Sequence, residues 1–265
     1  MDFTLASTIR LNNGIEMPRF GLGTARMTDV AVVSNAVRTA IQAGYRLIDT
    51  SKNYENEVPV GLGIRESGVP EDRLFITTKL EKEDYGYAKA KRGFEGSIGR
   101  LGLQKVDLYL IHAPEDDPQA RIEAWRSLTE MVDGRRLRAA GVSNYEIEHF
   151  EEIERAGLPV PAVNQIEVSP ETYSKQKRLI EYCQRHAIVL TAYSPLGVGN
   201  LLRHPLIRRM ADRYRKTPSQ VILRWCLQHD LTVIPKSARE EHIRENMDIF
   251  DFEITDEDMA LIDTV

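Results

Sequence analysis

The 265-residue chain has only two cysteines, Cys183 and Cys226. Both sit inside helical patterns, and they match no metal-ligand spacing. They read as small buried hydrophobes of a reducing compartment, and a disulfide framework is excluded. Six histidines are scattered along the chain with no HExxH pair, so no metal is expected. No run reaches the roughly 18 apolar residues of a membrane span. The opening MDFTLASTIR lacks a basic region followed by an apolar core, so a secretory signal is not expected and a cytoplasmic location is. No large excess of positive charge is present, since the formal net charge is −5. That balance gives no electrostatic case for a nucleic-acid partner. Low-complexity linkers are also missing. There is no nucleophile elbow, no Walker lysine and no close carboxylate pair in a glycosidase context.

What the chain does have is alternation. After a predicted hairpin over TIRLNNGIEMP, with its turn at Asn12, Asn13 and Gly14, eight short β-rich runs follow. They are Phe20–Leu22, Tyr45–Ile48, Leu74–Thr78, Val106–Ile111, Ala139–Val142, Pro161–Asn164, Ile188–Ala192 and Leu231–Ile234. Between and after them lie stretches with apolar residues at helical spacing: Val30–Ala43, Glu55–Ser67, Tyr87–Leu101, Ala120–Val132, Ile147–Ala156, Gln176–His186, Ser219–His229 and Arg239–Phe250. Thr255 is placed to cap a last helix over Asp256–Ile262. Strand then helix, repeated about eight times, predicts an α/β protein with a (β/α)8 TIM barrel in one domain over 1–265, the hairpin closing the bottom. The rival doubly wound sheet announces its dinucleotide site by GxGxxG after the first strand. Here that strand runs into Gly21–Leu22–Gly23–Thr24, which is not that fingerprint.

The strand ends carry the functional signal. In chain order they bring Asp49, Lys79, His112, Ser143 with Asn144, Gln165, Tyr193 with Ser194, and Lys236 with Ser237. Taken singly, each has a structural explanation: an Asp caps a helix, a Lys snorkels to solvent, a His satisfies a carbonyl. Seven polar strand ends together are harder to explain that way, because a barrel builds its active site at this rim. Tyr54, five residues after Asp49, is the strongest candidate for proton transfer. An ammonium beside a phenol favours the phenolate, so Lys79 is expected to lower the Tyr54 value, with Asp49 pairing to Lys79. His112 is placed to orient a carbonyl oxygen. These four make a general acid with an oxyanion-binding partner, the arrangement for a carbonyl whose carbon takes hydride while its oxygen takes a proton.

The motifs GYRLIDTSKNYENE (44–57), LFITTK (74–79), VDLYLIH (106–112), GVSNY (141–145), NQIEVSP (164–170), AYSPLGVG (192–199) and VIPKSAREEHIREN (233–246) resemble the aldo-keto reductase superfamily. The resemblance runs over essentially the whole chain. It is nearest to the bacterial 2,5-diketogluconate reductases and the prostaglandin F synthase-like reductases. It implies a catalytic tetrad of Asp49, Tyr54, Lys79 and His112. Ser143, Asn144 and Gln165 would hold the nicotinamide carboxamide, and Tyr193 would stack on its ring. Gly23, Thr24 and Asp49 would line the cofactor, and the run Ser194–Gly199, with Leu196 and Gly197, would cover the pyrophosphate. Lys236 and Ser237 would meet the 2′-phosphate, with His242 beside them, and Asn246 the adenine. The implied activity is reduction of aldehydes, ketones or sugar-derived carbonyls, without metal, by a monomer. NADP(H) is the implied cofactor. The alternative is a cofactor-binding redox-sensing or regulatory protein with little turnover.

Three departures shape the expectations. Where the family usually has Arg six residues after the phosphate-binding Lys, this chain has His242. Histidine is mostly neutral near pH 7 and lacks the bidentate fork, so NAD(H) is expected as a second cofactor. Relatives commonly read KLW and HWP; this chain reads KLE and HAP, placing Glu81 and Ala113 where aromatics usually stand. A wider, more polar pocket is expected, with Glu81 disfavouring a substrate carboxylate. Finally, relatives continue past the position of Val265 into a loop over the pocket; a stop at that position fits either an open site of loose specificity or a sequence cut short of that loop.

Overall fold

The computed structural model describes residues 3–134 and 136–265; Met1, Asp2 and Arg135 lie outside it. A hairpin opens the chain, β1 (Thr8–Arg10) antiparallel to β2 (Glu16–Pro18). Eight parallel strands follow: β3 (Gly21–Gly23), β4 (Leu47–Asp49), β5 (Phe75–Leu80), β6 (Leu108–Ile111), β7 (Ala139–Ser143), β8 (Val163–Glu167), β9 (Val189–Tyr193) and β10 (Thr232–Val233). Each pairs with the next in chain order. Single bridges from Phe20 to Val233 and from Gly23 to Lys236 close the ring. Gly23 is required there, because a Cβ would stand 2.6 Å from the Ile234 carbonyl oxygen. Pro235 has no N–H to continue the β10 ladder, which stops at Val233; its carbonyl accepts from the Gly23 N–H instead.

Helices follow the strands: α1 (Val30–Ala43), α2 (Glu57–Glu66), α3 (Tyr87–Leu101), α4 (Pro118–Asp133), α5 (Ile147–Arg155), α6 (Pro170–Arg185), α7 (Pro205–Tyr214), α8 (Pro218–Gln228), α9 (Glu240–Met247) and α10 (Asp256–Ile262). The barrel and the hairpin are as the alternation predicts. Helix α7 is an addition: the arginine-rich run 203–216 hides Leu206, Ile207, Met210, Ala211 and Tyr214, whose 3–4 spacing builds one apolar face. Helix α6 begins at Pro170, six residues before its expected start, because Pro fits the first turn and Ser169 and Thr172 form a capping box.

Strand parity positions the site. Leu47, Phe75, Leu108, Leu110, Ala139, Val163, Val189 and Ile234 fill the barrel interior together with Leu11 and Met17 of the hairpin. Ile48, Ile76, Tyr109, Ile111, Val142 and Ile166 face the helices. The hairpin is pinned at the N-terminal end of the strands, where the Asn12 and Asn13 side chains donate to the carbonyls of Pro161 and Arg138. Side chains alternate along a strand, so positions 49, 79, 112, 143, 165, 193 and 236 share the inward parity of that apolar core, one layer higher. Among the described residues, no helix is long and apolar enough to cross a membrane.

Candidate active site

Lys79 is the centre of the constellation and is fully buried. Its ammonium donates to Asp49 Oδ1 at 2.7 Å, to the Thr50 carbonyl at 2.9 Å and to the Tyr54 hydroxyl oxygen at 3.1 Å. These three bonds use its three hydrogens. The Tyr54 oxygen therefore accepts from Lys79 and keeps its own hydrogen for something else. Asp49 is held from the other side, its Oδ2 accepting from the Gln165 side-chain amide at 2.8 Å. Burial opposes charge on Lys79, but Asp49 and Tyr54 more than offset it and hold the ammonium above the usual lysine range.

Burial also raises the Tyr54 hydroxyl above the ordinary phenol value. Lys79 pulls it down by charge and hydrogen bond, while Asp49 and Glu81 push it up again, and the net direction is up. The sequence showed the ammonium but not the burial, so the expected net lowering is corrected: the hydroxyl is held as the neutral phenol. Tyr54 is also not on α2. It ends a 3₁₀ turn, Lys52–Tyr54, closed by Glu55 in the left-handed conformation at φ 54°. Buried Asn56 fixes this turn, accepting from the Thr50 hydroxyl at 2.7 Å and donating to the carbonyls of Thr24 and Met27 at 2.9 Å.

His112 stands beside Tyr54, ring centroids 5.9 Å apart and edge to face. Both line a cavity of about 480 Å³ at the C-terminal mouth of the barrel. Of the residues expected at the cofactor, Gly23, Asp49, Ser143, Asn144, Gln165, Tyr193, Ser194, Leu196, Gly199 and Lys236 line the same cavity. Tyr193 donates to Asn144 Oδ1 at 2.8 Å, and Ser143 to the Gln165 carbonyl at 2.8 Å, so these side chains form one connected wall. Asn144 adopts φ 60°, a left-handed value that Asn tolerates better than most residues. Gly197, at φ 55°, shapes the turn that carries Leu196 and Gly199. Three expected residues line neither this cavity nor its neighbour: Gly197, Lys79 behind Tyr54, and buried Thr24, which donates to the Asp49 carbonyl at 3.0 Å. Ser237, His242 and Asn246 line an adjoining depression that shares Leu196 and Lys236 with the main cavity.

Sequence reasoning missed Arg26, which lines the cavity from the loop after β3. It also misplaced Glu81. That residue is no exposed wall: it is 8% exposed and turned onto His112. Neither Arg26 nor Lys236 forms an ion pair among the described residues. A cavity lined by two cations without ion-pair partners among the described residues and by the acid–base cluster fits an anionic cofactor with a reactive ring.

A (β/α)8 barrel with an acid–base cluster on its C-terminal rim defines a barrel enzyme of the acid–base type. The chain belongs to the aldo/keto reductase family, whose description it matches over residues 19–265. It is 44% identical to the glyoxal reductase of Bacillus subtilis over all of this chain and 95% of that protein. It is 43% identical to the 9,11-endoperoxide prostaglandin H2 reductase of Trypanosoma cruzi, over 96% of this chain and 90% of that one. Among solved structures, an aldo/keto reductase of Brucella melitensis superposes with a TM-score of 0.91 at 37% identity, covering 97% of this chain and 98% of that one. The NADPH complex of a Gox0644 variant gives 0.92 at 37% identity, covering 97% and 93%.

Proposed function

We propose that residues 1–265 act as one barrel unit that reduces small carbonyl compounds to alcohols with a nicotinamide cofactor, as a monomer in the cytoplasm. The observation that carries this reading is the saturated Lys79: with Asp49, Thr50 and Tyr54 as its acceptors, it leaves the Tyr54 proton as the one to be given. The cofactor, when bound, supplies the hydride. Ser143, Asn144 and Gln165 would hold its carboxamide against the Tyr193 face, and Lys236 with Ser237 its 2′-phosphate. His112 would orient the carbonyl oxygen, and Tyr54 would protonate it as the alkoxide develops. α-Dicarbonyls head the candidate substrates because the glyoxal reductase relative matches along the whole chain. The test is oxidation of NADPH and NADH over aldehydes, α-dicarbonyls, ketoses and keto acids. Turnover of at least one class is expected. A folded protein that binds cofactor and reduces none of them would overturn the reading and favour a regulatory role.

The cofactor preference should be modest. His242 is exposed in the depression beside Lys236 and Ser237, where a charge-assisted guanidinium contact to a 2′-phosphate would be worth roughly 1.5–3 kcal/mol. We expect kcat/KM for NADPH to exceed that for NADH by less than about a thousandfold. His242→Arg should raise the ratio about tenfold to a hundredfold. A larger native ratio, or no rise in the variant, would count against His242 as the cause.

A further inference from the structure

The catalytic histidine has a partner that the acid–base cluster does not account for. Glu81 follows Lys79 at the next inward position of the chain, just past the end of β5. The His112 N–H bonds to the Leu80 carbonyl at 3.1 Å, which sets the two side chains abreast. Glu81 Oε1 lies 2.5 Å from His112 Nδ1. The same oxygen accepts from the Ser51 hydroxyl at 2.7 Å and from the Asn53 backbone N–H at 3.3 Å. Ser51 Oγ is itself 3.2 Å from Nδ1.

The placement of the proton follows from counting donors. Ser51 has one hydroxyl hydrogen, and it goes to Glu81, so its oxygen faces Nδ1 with lone pairs. Nδ1 thus meets two acceptors. An unprotonated Nδ1 would set lone pair against lone pair at 2.5 Å, unless the carboxyl carried the proton. A protonated carboxyl is disfavoured because Oε1 already receives two other hydrogens. Burial pushes Glu81 up, but its bonds from His112, Ser51 and Asn53 outweigh that and hold it below the usual carboxylate range. The proton therefore sits on Nδ1.

We propose that Glu81 is the positioning residue of the catalytic histidine, fixing the His112 proton on Nδ1 so that the ring meets a carbonyl oxygen as an imidazolium. With Nδ1 committed, a neutral His112 turns a lone pair toward the cavity and repels a carbonyl. Only the doubly protonated ring presents an Nε2–H, and then the hydrogen bond it gives is charge-assisted. The proton that ends on oxygen is still the one from Tyr54. The other charged and titratable groups at this end are Asp49, Tyr54, Tyr193, Arg26 and Lys236 on the cavity wall, Lys79 behind Tyr54, and Glu83 and Tyr85 near Glu81. The substitution that removes a bulky aromatic from the pocket thus installs a carboxylate that charges the histidine. This inference rests on the carbonyl-reduction reading for its kinetics, but its structural half stands apart from turnover.

The test begins with the unaltered protein, its histidine rings labelled with ¹⁵N and the His112 signals assigned by loss in His112→Ala. Nitrogen shifts of the imidazolium, protonated on both Nδ1 and Nε2, are the expected result without cofactor or substrate. A neutral ring, protonated on either nitrogen alone, would overturn the proposal. Glu81→Gln is then expected to lose the imidazolium signature. It should lower kcat for carbonyl reduction at least about tenfold, by analogy with a triad whose carboxylate sets a histidine tautomer, while KM for cofactor stays unchanged. Glu81→Asp should recover part of that loss. Equal kcat in Glu81→Gln and the native enzyme would overturn the catalytic half. If Glu81→Gln fails to fold, the native ring signals and Glu81→Asp still decide. Absence of turnover in the native enzyme would instead strike the functional reading, leaving the tautomer result intact.

Discussion

Tyr54→Phe is expected to lower kcat for carbonyl reduction by about 10²–10⁴-fold, with cofactor affinity and stability nearly unchanged. The ring would remain packed edge to face on His112, and only the hydroxyl would go. That hydroxyl keeps a hydrogen not given to a protein acceptor among the described residues, whereas Lys79 has spent its three. Its removal leaves Lys79 with two acceptors, Asp49 Oδ1 and the Thr50 carbonyl, so the ammonium stays paired and the fold holds. Cofactor titration by quenching of intrinsic fluorescence, alongside steady-state and single-turnover rates, separates the outcomes. Retained binding with lost turnover identifies Tyr54 as the acid. A variant within a few-fold of native activity would remove Tyr54 from the proton path and leave His112 as the alternative donor.

Much of this site was legible in the sequence because strand periodicity and barrel topology act together. Every second residue of a strand faces the barrel axis, so Asp49, Lys79, Ser143 and Gln165 could be placed on one rim from spacing alone. Tertiary burial was less legible. The Tyr54–Lys79 contact and its downward pull were expected, but the net direction was not, because desolvation depends on everything packed around the phenol. Glu81 shows the same limit from another side. The resemblance placed it at the pocket, but the sequence does not show that His112 would lie abreast of it and turn it from the substrate. Element starts slipped where local chemistry overrode periodicity, as at Ser169–Pro170, where cap and proline begin α6 early. Arg26 escaped notice because a lone arginine in a loop carries no pattern.

The largest expected effect on stability comes from Lys79→Met. Methionine matches the apolar stem of lysine but withdraws the charge from a position with no exposure. Asp49, 3% exposed, would keep its bond from Gln165 and lose the one cation that pairs with it among the described residues. Breaking one half of a buried ion pair costs about 3–5 kcal/mol, because the remaining charge is left uncompensated. Urea unfolding of Lys79→Met against the native protein should show a loss of that size, together with loss of carbonyl reduction. Asp49→Asn combined with Lys79→Met removes both charges at once. The double variant is expected to regain most of the lost stability, as neutral replacement of a buried pair commonly does, while remaining inactive because nothing then supports the Tyr54 oxygen as its proton leaves. If the double variant is as unstable as Lys79→Met alone, packing of the lysine stem, and not the ion pair, is what the fold requires at this position. If it regains activity with stability, the ammonium has no part in the chemistry.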